Sequence, residues 1–152
     1  MKSKLVDSKE KAQSLVELAL MLFLILIMLA GVVDLGRMMY EYLSMRDGAQ
    51  EGAGYGAIYP NYCDEIETRV WDNLPADFST PDDDVYVTVN GLDCAAASVA
   101  DQALLLPANG CMGKELIVNI DHQYEMSMPF FAGKIVNMHV EIKDRIVRPN
   151  CN

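Results

Sequence analysis

Glu17 is the one charged residue inside a long apolar stretch, Ser14 to Val33, that reads SLVELALMLFLILIMLAGVV. A carboxylate at membrane depth is expensive, and where one is kept it finds a cation or reaches water. Its natural work is to hold a positive group at a fixed depth. Cys63, Cys94, Cys111 and Cys151 all follow the stretch. None forms a CxxC pair and their spacings are wide, which argues for disulfides in an oxidising space over zinc or redox chemistry. Cys94 and Cys111 stand at the two ends of a long loop and are expected to close it. Cys63 is then left to Cys151, one of the three pairings that four cysteines allow.

The remaining candidates are weak. His122 and His139 are the only histidines. His122 falls on the apolar face of an expected strand and reads as a core or rim residue; His139 reads as solvent-facing. The Asp82-Asp83-Asp84 run lacks the alternate ligands and glycine of a calcium loop, so it reads as a solvated turn. No nucleophile elbow, HExxH pair, phosphate loop or dinucleotide turn is present, and no carboxylate pair is placed for acid–base work. The expectation is a chain that is not an enzyme and takes no cofactor or metal. A pocket between the sheet's apolar face and the loop from Leu92 to Gly113 is the one enzymatic opening left.

The elements that position these residues start with the apolar stretch. About 20 apolar residues in a helix cross a hydrocarbon core of ~30 Å. Lys2, Lys4, Lys9 and Lys11 precede it closely, and only Arg37 and Arg46 follow at comparable distance. This asymmetry puts the N-terminal side in the cytoplasm. The stretch is longer than a secretory signal's apolar region, and Leu29-Ala30-Gly31 is a poor cut site, so an anchor fits better. The chain has 152 residues and a net charge of −10, and from Asp34 onward the net charge is −11. Such a domain is expected to repel nucleic acid phosphates and anionic lipid headgroups.

The helix is expected to run from about Ser14 to Tyr55. Leu35, Met38, Met39, Tyr42, Met45, Ala49 and Ala53 form an amphipathic stripe, with Asp34, Arg37, Glu41, Asp47 and Glu51 on other faces. Gly48, Gly52 and Gly56, four apart, permit close approach of a sheet in the same subunit or of another helix. Pro60 ends the helix. A second helix is expected over Asn61 to Leu74, capped by Asn61, with Ile66, Val70 and Leu74 inward. Alternation marks strands at Val85 to Val89, Leu116 to Met126 and Met138 to Ile142, and Asn90-Gly91 marks a turn. The fold class is α+β: a long N-terminal transmembrane-plus-amphipathic helix packed on a small antiparallel sheet of three to four strands.

The junction Ala12-Gln13-Ser14-Leu15-Val16-Glu17-Leu18-Ala19-Leu20 resembles the opening of the TadE/TadG-like minor pilins, or pseudopilins, of tight-adherence pili. Gly31-Val32-Val33-Asp34-Leu35-Gly36-Arg37 and Ala49-Gln50-Glu51-Gly52-Ala53 resemble that family's later helix patches. The resemblance covers Ala12 to about Ala57. It implies a pilin-like fold and a processing site between Ala12 and Gln13, cut by a prepilin peptidase. Ala12 stands where the family usually has glycine. Glu17 then becomes the fifth mature residue, the assembly and cleavage-recognition position, and meets the N-terminal amine of an adjacent subunit. The implied parts are a leader over 1–12, a transmembrane helix over 13–33, its extracytoplasmic continuation over 34–57 and a small domain over 58–152. The implied partners are other pilin subunits, the peptidase, the inner-membrane assembly platform and membrane lipid, with no nucleic acid. The competing reading is an uncleaved, single-pass anchored binding domain.

Overall fold

The computed structural model describes residues 3–76, 78, 84–94, 110–128 and 131–148, with side chains from residue 12 onward. Its elements are α1 (Ser3–Gly56), α2 (Cys63–Asn73), β1 (Asp84–Val89), β2 (Leu92–Asp93), β3 (Glu115–Glu125) and β4 (Ile135–Arg145). The strands form one antiparallel sheet in the order β2-β1-β3-β4. This is an α+β fold with a long apolar N-terminal helix, laid out like a pilin. The chain divides into two compact units. One holds the residues up to Arg37 together with Glu125–Lys134; the other holds Met38–Tyr124 and the residues from Ile135 onward.

The second unit contains the core. β3 alternates as expected, with Leu116, Val118, Ile120, His122 and Tyr124 buried. Val85, Val87 and Val89 of β1 share that layer, and Met45, Ala49, Ala53, Ile66 and Val70 supply the helical side. The glycine column makes this layer thin. A Cβ added at Gly52 would collide with Val70 Cγ2, and one at Gly56 would come within 2.5 Å of Leu116 Cδ2 and 3.0 Å of Ile66 Cδ1. The close approach is therefore made within one chain, to α2 and β3. Gly54, between these positions, meets nothing within 4 Å. At the C-terminal end of α1 the Ala57 carbonyl accepts from the Val147 N–H at 2.8 Å, so a helix-end carbonyl finds a partner in the segment after β4.

Four expectations need correction. The disulfide joins Cys63 to Cys94, not Cys94 to Cys111 with Cys63 left to Cys151. The Asn90-Gly91 turn, with φ of 51° and 82°, folds Leu92 and Asp93 back on β1. The Cys94 N–H then donates to the Val87 carbonyl at 2.8 Å. Cys94 thus continues the ladder and meets the first residue of α2 rather than the far end of its loop. Cys111 is also disulfide-bonded; Cys151 and residues 95–109 of the expected loop lie outside the described residues, as do Asp82 and Asp83. Secondly, α2 starts at Cys63, and Tyr62 at its N-cap makes no side-chain capping bond, so Asn61 is not the cap. Thirdly, β2 adds a strand where a loop is expected, and β4 runs from Ile135 to Arg145, beyond the expected Met138 to Ile142. Fourthly, the buried face of α1 keeps Met45, Ala49 and Ala53 of the expected stripe but not its other large members. Asp34 and Glu41 are only 5% and 6% exposed, while Leu35, Met39 and Tyr42 face outward. Hydrophobicity misplaces the stripe because both acids have partners that only the fold brings near.

The glycine column makes a direct prediction. Gly52→Ala should destabilise the domain by about 1–3 kcal/mol through overpacking. Gly54→Ala, in open space, should stabilise it by up to ~1 kcal/mol through helix propensity. Denaturant unfolding of the two variants beside the parent reads both signs.

Candidate functional site

Ala12, Gln13 and Glu17 all lie on α1 and are exposed. Gln13 and Glu17 are four residues apart and share one face, about 6 Å apart along the axis at 1.5 Å per residue. From Leu15 to Val33 the large side chains stay uncovered: Leu18, Met21, Phe23, Leu24 and Met28 are all more than half exposed. A helix apolar on every face gains nothing from water. Its length and composition suffice to cross a membrane, and it fits a single-pass anchor. Glu17 is thus the lone charge within this exposed apolar stretch.

Residues 12–54 match the family of TadE-like proteins. The TadE-like segment starts at the residue before the expected cut and takes in Glu17, the buried Glu41 and the glycine column up to Gly52. It leaves out α2 and the sheet. No curated protein and no solved structure matches the chain. The family is one of structural, pilin-like proteins associated with tight-adherence pili and is not known for enzymes.

Two buried acids on the TadE-like segment carry further structure. In the second unit, Glu41 Oε2 lies 3.2 Å from His122 Nε2. The His122 ring stacks on Phe78, with centroids 3.9 Å apart. This confirms His122 as a core residue with a partner. Removing one member of this buried pair takes a hydrogen-bond partner from the other, at a cost of ~1–3 kcal/mol. The pair locks the α1 register against β3. Sequence reasoning missed it: the residues are 81 positions apart, and Glu41 read as a surface charge. A carboxylate seven residues before Gly48 in the same helical column was the available signal. His139 lies on the solvent face, where Asp121 Oδ1 is 2.7 Å from its Nδ1. Among the described residues no group of His, Cys, Asp or Glu could hold a metal ion.

In the first unit, Asp34 Oδ1 accepts from the Ser127 backbone N–H at 3.2 Å. An open, largely apolar groove of about 340 Å³ lies beside it, walled by Leu26, Leu29, Ala30, Val33, Arg37 and Met128. None of Ala12, Gln13 or Glu17 lines this groove, and neither does any of the described cysteines.

On α2, Glu67 has its pKa raised above the ordinary 4.5, first by burial and then by the charges of Asp64, Asp93 and Asp84. The folded state therefore binds this proton more tightly than the unfolded chain. Its contribution is most favourable below about pH 4.5 and is lost as pH rises through the raised value. Glu67→Gln should remove that component. Unfolding curves from pH 4 to pH 7, ~3 units across the carboxylate range, should show the variant gaining stability relative to the parent toward the upper end.

Proposed function

We propose that the chain is a minor pilin or pseudopilin of a tight-adherence pilus, a structural subunit rather than a catalyst. Residues 1–12 serve as a cytoplasmic leader, 13–33 cross the inner membrane, 34–57 continue the helix outside and 58–152 form the extracytoplasmic domain. Prepilin peptidase cuts between Ala12 and Gln13. The assembly platform then draws the subunit from lipid toward other pilin subunits.

The observation that carries this reading is Glu17, the lone charge of the exposed apolar stretch of α1, five residues after a small residue and inside the TadE-like match. Cutting creates an ammonium on Gln13, one turn away. The positive end of the helix dipole and the free N–H groups lie at the same place. An acid held in lipid is stabilised by such a partner. Supplied by the next subunit, the amine sets the axial register of a stack, and each Glu17 repeats the contact.

The test is the N-terminus of the mature protein purified from cells with an active prepilin peptidase. Mass spectrometry should find Gln13 as the first residue, N-methylated. A mature chain still carrying residues 1–12 would contradict the reading and leave an anchored binding domain.

A further inference from the structure

The turn between β3 and β4 belongs to the same compact unit as the apolar helix, and its residues are unusual for a water-facing turn. Such turns are usually built from Gly, Asn, Asp, Ser and Pro. Here the described part carries Met126, Met128 and Phe131 beside Ser127, Ala132, Gly133 and Lys134. Phe131 is 48% exposed. Lys134 Nζ stands 5.8 Å from the centre of its ring.

The turn's place along the helix is specific. Met128 Sδ lies 3.5 Å from where a Cβ on Gly31 would be. Gly31 is two residues inside the end of the apolar stretch, about 3 Å deeper than Val33 at 1.5 Å per residue. The Ser127 N–H is tied to Asp34, just past that end. Beside these contacts runs the apolar groove walled by Leu26, Leu29, Ala30, Val33 and Met128, with Arg37 among its lining residues.

We propose that the described residues of this turn, 126–128 and 131–134, are a second membrane-contacting element, seated in the outer interface of the bilayer, with a phospholipid acyl chain in the groove. This rests on the reading of the apolar helix as a membrane span. Given that span, Met128 stands at the depth of the acyl chains and Phe131 beside the headgroups. Lys134 carries its charge on an apolar stem, the form that reaches from an apolar surface to water and phosphate. Arg37, a turn beyond Val33, pairs with a lipid phosphate through its planar fork. Phe131 has no polar edge, so its half-exposed ring gains by leaving water for the acyl side of this boundary. The contact is continuous with the helix's own lipid-facing surface. It adds a hold on the membrane-resident subunit that must be released when the subunit enters a pilus.

The experiment uses the full chain, one copy per nanodisc of phosphatidylcholine and phosphatidylglycerol, with Trp71→Phe removing the native tryptophan. Three reporters are placed in this background: Phe131→Trp, Met128→Trp and, in the span, Leu24→Trp. Formation of the Cys63–Cys94 link in a non-reducing peptide map certifies each fold. Blue-shifted emission from the Phe131→Trp and Met128→Trp variants, quenched by acyl chains brominated near the headgroup, is the expected result. The Leu24→Trp variant should be quenched by bromines near the bilayer centre. Quenching at Leu24→Trp with water-like, acrylamide-accessible emission from both turn variants overturns this inference alone. Absence of quenching at Leu24→Trp overturns the membrane span and this inference with it. Protection of the turn variants from acrylamide without bromine quenching places protein over the turn and also overturns it.

Discussion

A single helix carries two opposite surface patterns, and the rest of the structure follows from that constraint. From Leu15 to Val33 α1 offers apolar side chains on nearly every face, a pattern that fits a single-pass membrane anchor. From Met38 to Gly56 the same helix lies in the unit that holds the sheet, and one face of it must do the packing. The two halves use opposite rules. The first needs bulk on all sides. The second needs a narrow column of small residues so that α2 and β3 come close.

That column explains the size of the domain. With Gly48, Gly52 and Gly56 under α2 and β3, the core is built by a few branched side chains on both sides: Ile66 and Val70 from α2, Leu116 and Val118 from β3. The Cys63–Cys94 bond then ties the start of α2 to the end of β2 across 31 residues. A cross-link of this span limits the unfolded chain, which matters for a small acidic domain that repels itself. Glu41 and His122 add orientation. A buried pair contributes little net stability, but a shifted register would leave both groups without each other.

Much of this was legible in the sequence because it rests on local pattern. The apolar stretch, the alternation of β3, the Asn90-Gly91 turn and the glycine spacing each announce themselves within a dozen residues. The opening around Glu17 was legible as a resemblance, and the family match over residues 12–54 agrees with it. What stayed hidden depends on contacts between distant segments. Asp34 and Glu41 look like surface charges until Ser127 and His122 are brought to them. The disulfide was misjudged because a two-residue strand is too short to leave a period, and only that strand turns Cys94 toward Cys63. The exposed Leu35, Met39 and Tyr42 were drawn into the core stripe on hydrophobicity alone, although the glycine column sets the packed face.

Glu17 remains the centre of the proposed assembly, since it joins a membrane helix to a positive terminus made by processing. The most direct measurement follows a Glu17→Ala variant through cell fractions, with its N-terminus determined in the membrane and its amount in sheared pili. The expected result is a variant that inserts in the membrane but is lost from the pilus fraction, because its helix no longer holds a neighbour's amine. A Glu17→Ala subunit found in pili at the parent's level would contradict the pairing.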